Sequence, residues 1–274
     1  MPQVINTNIQ SLNAQRNLNT SQGSLTTALQ RLSSGLRVNS SKDDAAGLAV
    51  AEKMNAQARG MTVAIRNAND GISLAQTAEA GMNVISEHLQ RMRELAVQAA
   101  SGQYDSDNRA ALDTEFQELR SEIDRVISAT NFNGQKLLDG TFSNGITFQV
   151  GPTTTAESQI AVSIGQIIVN NLASISGATG SNALSEMSKL DGIINQINTN
   201  RASLGAIQNR FEGVLTQLAS AHEATTASRS RIMDADYAAE TAALARAQVL
   251  QQAGVAMLTQ ANALPQNVLS LLQG

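Results

Sequence analysis

The sequence predicts a mainly α-helical protein: long antiparallel helical rods and a coiled coil formed by the N- and C-terminal segments, with a small β-hairpin region in the middle. Three observations predict it. Apolar residues recur at steps of three, four and seven through both ends and most of the interior, the period of a helix that buries one stripe. Aromatic residues make up only 3%, tryptophan is absent and three prolines occur, which favours Ala-rich helices packed side by side over a large aromatic core. The charges are also segregated: Arg16 is the only one between Met1 and Gln30, and none follows Arg246.

The first helix is expected from Val4 to Leu32, with Ile5, Ile9, Leu12, Leu18, Leu25, Leu29 and Leu32 as its stripe and Asn, Gln, Ser and Thr on the other face. Ser33 to Gly47 breaks it, and Ser41 or Asp43 is placed to cap the second helix. Asp43 and Asp44 are adjacent, so they point in different directions on a helix and suit cap and dipole duty better than a metal or acid–base pair.

From Leu48 to Ala99 the apolar seam holds its phase, a run of about 50 residues that makes a rod roughly 80 Å long. Gly60, Gly71 and Gly81 lie within it, each costing about 1 kcal/mol relative to alanine. Because the phase survives all three, they mark close helix contacts rather than helix ends. Ser101-Gly102 breaks the rod, and Asp105 to Asn108 starts a helix that runs to about Ala129 with Leu112, Phe116, Leu119, Ile123 and Val126 inward. Asn131 to Gly134 ends it.

The period then changes to two. Ile146, Phe148 and Val150 come after Asn144-Gly145, a hairpin-turn signal, and Gln159 to Ile164 is the expected partner strand. Asn170 to Asn182, rich in Ser, Gly, Ala and Asn, reads as an exposed loop. A last rod runs from about Ala183 to Met233. Arg229, Arg231, Asp234 and Asp236 at its end read as interhelical or intersubunit ion pairs, worth little if exposed.

The tail from Ala247 to Gly274 carries Leu250, Met257, Ala261, Leu264, Val268 and Leu271 on one stripe and no charge. A helix left in water usually keeps charge outside. A membrane span is disfavoured by the repeated amides and Pro265, and a membrane-surface helix would need basic residues and an aromatic anchor. Burial against other protein helices remains, since amides satisfy one another where unpaired charges are costly to desolvate. The two ends are expected to order only when packed on each other and on neighbours. This places the domains at 1–43 plus 235–274 (a terminal coiled-coil core) and 44–234 (a helical rod, with its hairpin at about 139–165 and its loop at about 170–182).

A net charge of −4 with no basic block argues against nucleic acid as a partner. The absence of cysteine excludes disulfides and thiolate chemistry. His88 and His222 sit in no metal-ligand pattern, and no phosphate loop or nucleophile elbow occurs. Neither an enzyme nor a cofactor is expected. The N-terminus has no basic region leading into a continuous apolar run, so no Sec-type signal peptide is expected.

The segments VINTNIQSLNAQRNLN (4–19), LQRLSSGLRVNSSKDDAAGLA (29–49), RNANDGISLAQTAE (66–79), LQRMRELAVQAA (89–100), TNFNGQKLLDG (130–140), SRIMDADYAAET (230–241) and VLQQAGVAMLTQANALPQNVLSLL (249–272) closely resemble bacterial flagellin. The resemblance implies a subunit of the flagellar filament, exported through the flagellar type III apparatus without a cleaved signal and polymerised outside the cell. It implies a short form lacking the outer domains. The partners it implies are copies of the chain itself, the export chaperone, the filament cap and hook-associated proteins, and host flagellin-sensing receptors. The assembly residues would be Ile5, Ile9, Leu12, Leu250, Met257, Leu264, Val268 and Leu271. Arg91, Leu95 and Glu115 match the positions read by the flagellin-sensing Toll-like receptor, and Val268, Leu269, Leu271 and Leu272 match the tail read by cytosolic sensors. Ser174, Ser176, Thr179 and Ser181 are candidate O-glycosylation sites. A hook–filament junction protein shares the terminal helices and is the alternative within the family. An enzyme displayed on the filament is the alternative outside it, and the missing zinc-ligand motif opposes it.

Overall fold

The computed structural model describes the backbone of residues 7–272 and the side chains of residues 7–263. Ile5 and the side chains of Leu264, Val268, Leu269, Leu271 and Leu272 therefore lie outside the described residues. Five helices account for most of the chain: α1 (Ile9–Ser34), α2 (Ala45–Ala100), α3 (Ser106–Ala129), α4 (Ser181–Met233) and α5 (Tyr237–Leu272). Four short strands fall between α3 and α4: β1 (Asn131–Phe132), β2 (Gln135–Lys136), β3 (Ile146–Gln149) and β4 (Gln159–Val162). The chain divides into two compact units, Met1–Ala56 with Ala224–Gly274, and Gln57–Glu223.

In the first unit α1 and α5 pack as an antiparallel pair. Asn8 caps α1 by accepting from the Ser11 amide at 3.1 Å. Gly35 ends it in the left-handed region at φ 70°, where a Cβ is strained. The cap of α2 is Asp44, whose carboxylate accepts from the Gly47 amide at 2.7 Å, and not Ser41 or Asp43. Asp43 instead gathers the Asn39 and Ser40 amides and the Ser40 hydroxyl, and these bonds, the hydroxyl first, hold its pKa below the ordinary carboxylate value. Val38, Ala51 and Met233 form a small core beside the Leu36–Asp234 bridge. At the α4–α5 junction the two aspartates accept local hydrogen bonds, and the four charged residues form no interhelical ion pair within the chain among the described residues. Asp236 accepts from the Ala238 amide at 2.9 Å, Asp234 accepts from the Ser230 hydroxyl, and Arg229 and Arg231 form no ion pair among the described residues.

In the second unit, α2 continues unbroken through all three glycines, each of which is a close contact. A Cβ on Gly60 would stand 2.9 Å from Pro152, one on Gly71 2.5 Å from the Phe211 ring, and one on Gly81 2.6 Å from Thr130. The buried core runs along α2 from Ala68 to Ala99 and takes Phe116 and Ile123 from α3, and Leu190, Ile197, Leu204 and Phe211 from α4. Phe148 on β3 meets Phe211 edge-on with ring centres 5.8 Å apart.

β3 and β4 pair antiparallel, Ile146 opposite Val162, as the period-two pattern predicts. The loop joining them is 150–158, so Asn144-Gly145 precedes the hairpin instead of turning it. A tight turn of that type occurs earlier: β1 and β2 pair across Asn133 (φ 51°) and Gly134 (φ 78°), the left-handed pair that an Asn-Gly hairpin requires. In the sequence that dipeptide reads only as a helix end.

The segment before α4 is not a free loop. Leu172 and Ile175 are buried. Asp113 accepts from the Ser174 hydroxyl at 2.9 Å and from the Ile175 amide at 2.8 Å. Buried Glu186 accepts from the Ala173 amide at 2.9 Å. Arg109, also buried, donates to the carbonyls of Ala99, Ser101 and Ala178 at 2.8, 3.1 and 3.0 Å. The last turn of α2 carries no basic residue; Arg109 reaches in from α3 to supply the cation that a helix C-terminus favours.

Candidate assembly and recognition surfaces

The α1–α5 seam alternates leucines with small residues. Ser11, Ala14, Leu18, Ser21, Leu25, Ala28 and Leu32 face inward on α1, alternating steps of three and four. Glu240, Leu244, Ala247, Gln251, Gly254, Leu258 and Ala261 do so on α5. Gly254 admits Leu18, whose Cδ1 would lie 3.2 Å from a Cβ there. The ends are pinned by polar bonds. Asn8 Nδ2 donates to the Ala261 carbonyl at 2.8 Å, the Ser11 hydroxyl to Asn262 Oδ1 at 2.8 Å, and the Tyr237 hydroxyl to the Leu32 carbonyl at 3.0 Å. Arg31 and Glu240 form an ion pair at 3.0 Å.

A second set of large apolar side chains points away from that seam. Ile9 is 62% exposed, Leu12 50%, Leu250 51% and Met257 64%, and Leu29, Val249 and Val255 are exposed as well. The sequence stripe therefore divides in two. Leu18, Leu25, Leu32 and Ala261 join the intramolecular seam, whereas Ile9, Leu12, Leu29, Leu250 and Met257 form outer faces. Leu250 and Met257 are seven residues apart, and the same spacing reaches Leu264 and Leu271 in the sequence. Burying one such side chain fully stabilises by about 1.5–3 kcal/mol relative to exposure, and exposed apolar sets of this kind mark interaction surfaces.

On the second unit, Arg91 is exposed and bridges two carboxylates, Glu94 at 3.0 Å and Glu115 at 2.8 Å. Hydrogen bonds to Glu115, then to Glu94, raise its pKa above the ordinary arginine value. Leu95 is buried in the core at 1% exposure, so the structure brings Arg91 and Glu115 together on the surface and does not bring Leu95 out beside them. Arg93 pairs with Asp191 at 2.6 Å, tying α2 to α4. Ser174 and Ser176 are half-buried and hydrogen-bonded, whereas Thr179 and Ser181 are exposed and bonded to each other at 2.9 Å.

Among the described residues no group of three His, Cys, Asp or Glu side chains is placed to hold a metal ion, and no helix is long and apolar enough to cross a membrane. An antiparallel terminal helix pair that closes on leucines and small residues yet leaves a second set of large apolar side chains exposed, with almost no charge, has the character of a helical self-assembly protein.

Comparison with known proteins gives the family. Residues 5–143 match the bacterial flagellin N-terminal helical region, and residues 187–272 match the bacterial flagellin C-terminal helical region. A flagellin of Halalkalibacterium halodurans is 42% identical over 272 residues, covering 98% of this chain and 100% of its own. A flagellin of Bacillus subtilis is 39% identical over 305 residues, covering 98% and 99%. The crystal structure of Bacillus cereus flagellin is similar with a TM-score of 0.50 at 32% identity, over 56% of this chain and 88% of that one. A putative flagellar hook-associated protein from Vibrio parahaemolyticus shares the fold alone, with a TM-score of 0.60 at 12% identity over 70% of this chain and 100% of that one. The chain belongs to the bacterial flagellin family: it is a structural subunit of the flagellar filament, in a short form without a large middle domain.

Proposed function

We propose that the chain polymerises by burying each outer face of its α1–α5 pair against a different face of a neighbouring copy, with Ile5, Ile9, Leu12, Leu250, Met257, Leu264, Val268 and Leu271 as the assembly residues. The observation that carries this reading is the exposure of Ile9, Leu12, Leu250 and Met257 on helices that offer almost no charge to water. Contacts between different faces of identical copies extend as a helix when the rotation between copies does not close a ring. The terminal core then corresponds to 1–43 plus 235–274 and the helical rod to 44–234.

The test is Leu250→Asp, at an exposed position where the monomer tolerates a charge. The variant keeps the helicity and thermal melt of the parent but forms no filaments by electron microscopy after seeding, because assembly buries an unpaired carboxylate in every copy. Filaments of normal length from Leu250→Asp would refute the assignment.

The subunit works without turnover, in keeping with its structural family. Its partners outside the polymer are the export chaperone, which takes the C-terminal segment before assembly, and the filament cap and hook-associated proteins at the polymer ends. Export proceeds through the flagellar type III apparatus without a cleaved signal. A host receptor on the rod would read the Arg91–Glu115 pair, while Leu95 lies buried in the core. A cytosolic sensor would read Val268, Leu269, Leu271 and Leu272. Exposure favours Thr179 and Ser181 over Ser174 and Ser176 as O-glycosylation sites.

A further inference from the structure

The chain contains neither cysteine nor tryptophan, so its thioether sulfurs are the side-chain groups most open to oxidation by a peroxide. The methionines differ sharply in access. Met82 and Met92 are sealed in the core of the second unit and Met233 is 4% exposed, while Met54, Met61 and Met187 are half-buried. Met257 is the only exposed methionine among the described residues, at 64%. It lies on α5 beyond Arg246, where the sequence holds no charge, and no aromatic or charged residue stands within one turn of it along that helix. Leu250, seven residues before it on the same face, is exposed with it.

We infer that Met257 is an oxidation site that gates assembly: a peroxide converts it to the sulfoxide while the chain is a monomer, and the sulfoxide keeps that chain out of the polymer. The inference rests on the reading that the outer face of α5 is buried between copies. In the step itself the thioether sulfur attacks one oxygen of hydrogen peroxide, an S–O bond forms and the O–O bond breaks. The sulfur is oxidised by two electrons, and the departing hydroxide takes the proton from the transferred oxygen and leaves as water. The product is a polar group with an oxygen that accepts hydrogen bonds, in place of a soft apolar thioether. Water satisfies that oxygen in the monomer, whereas the apolar side chains of a neighbouring copy do not. Assembly protects in turn, because a sulfur buried between copies is out of reach of the oxidant.

The test treats dilute full-length monomer with hydrogen peroxide at a dose that leaves Met82 and Met92 unmodified. Peptide mapping by mass spectrometry finds the added oxygen on Met257 ahead of Met54, Met61 and Met187. The critical concentration for polymerisation from seeds rises by about tenfold or more. The circular dichroism melt of the treated chain matches the parent's, because the modified side chain is exposed in the monomer. The same dose leaves a Met257→Leu chain at its own untreated critical concentration, since leucine has no sulfur to oxidise. Peroxide applied to finished filaments modifies Met257 more slowly than in the monomer. Three results would each overturn the inference: Met257 modified no faster than the half-buried methionines, an oxidised parent that polymerises like the untreated one, or a Met257→Leu chain that loses assembly on treatment as the parent does. The Leu250→Asp chain decides separately whether the face is buried at all, and normal filaments from it would remove the reading on which the inference rests.

Discussion

A methyl group added at Gly71 falls 2.5 Å from the Phe211 ring, whereas one added at Gly205 meets nothing within 4 Å. Both glycines sit inside helices, where alanine gains about 1 kcal/mol, but overpacking at Gly71 costs about 1–3 kcal/mol. Gly71→Ala is therefore expected to lower the midpoint of thermal unfolding and Gly205→Ala to raise it, read by circular dichroism. Arg109 is decisive in a different way. Replacing it with Met leaves the Ala99, Ser101 and Ala178 carbonyls without their charged donor and should cost about 3 kcal/mol, read from the denaturant midpoint. Hydrogen exchange should quicken first at the amides of 173–178. Asp43 makes a pH prediction. Its folded pKa is depressed by the Ser40 hydroxyl and the Asn39 and Ser40 amides. Its stabilisation is thus present above the unfolded value of about 3.9 and is lost as pH falls through the lower folded value. Glu122, Asp139 and Glu157 shift the same way, so the melting temperature should fall on acidification below about pH 4. Asp43→Asn should flatten part of that slope.

At the scale of elements, the long helices were legible because their apolar phase runs unbroken across Gly60, Gly71 and Gly81, and the β3–β4 strands because the period changes to two. The terminal seam was only half legible. Ile9, Leu12, Leu250 and Met257 share the helical period of the seam leucines, but the contact between α1 and α5 also uses small residues such as Ala28, Ala247 and Gly254 that let the backbones approach. A stripe read from one sequence does not distinguish a face turned to the same chain from one turned to another. The pinned segment before α4 reads as a loop because its Ser, Gly and Asn residues are turn formers. The side chains that hold it, Arg109, Asp113 and Glu186, lie on α3 and α4, outside the segment itself. Asp44 rather than Asp43 as the α2 cap is a displacement of one residue, within the ordinary uncertainty of helix ends. Arg91, Leu95 and Glu115 came from the family resemblance as separate positions; the Arg91–Glu115 ion pair and the burial of Leu95 depend on how α2 meets its neighbours.

For the whole molecule, the two units differ in how they are completed. The Gln57–Glu223 unit has a continuous core of Leu, Ile, Met and Phe and ion pairs across its surface. The α1–α5 pair has a thin seam of leucines alternating with Ala, Ser and Gly, a few polar bonds and outer apolar faces left exposed. Ala and Gly contacts bury little apolar area per residue, so the pair should open far more readily than the second unit while the chain is a monomer. Hydrogen exchange, measured in dilute monomer and in filaments of the same chain, tests this most directly. The account predicts rapid exchange across Ser11–Leu32 and Glu240–Ala261 in the monomer, slow exchange in α2 between Ala68 and Ala99, and strong protection of both terminal segments once polymerised. Terminal segments already as protected in the monomer as that part of α2 would contradict it.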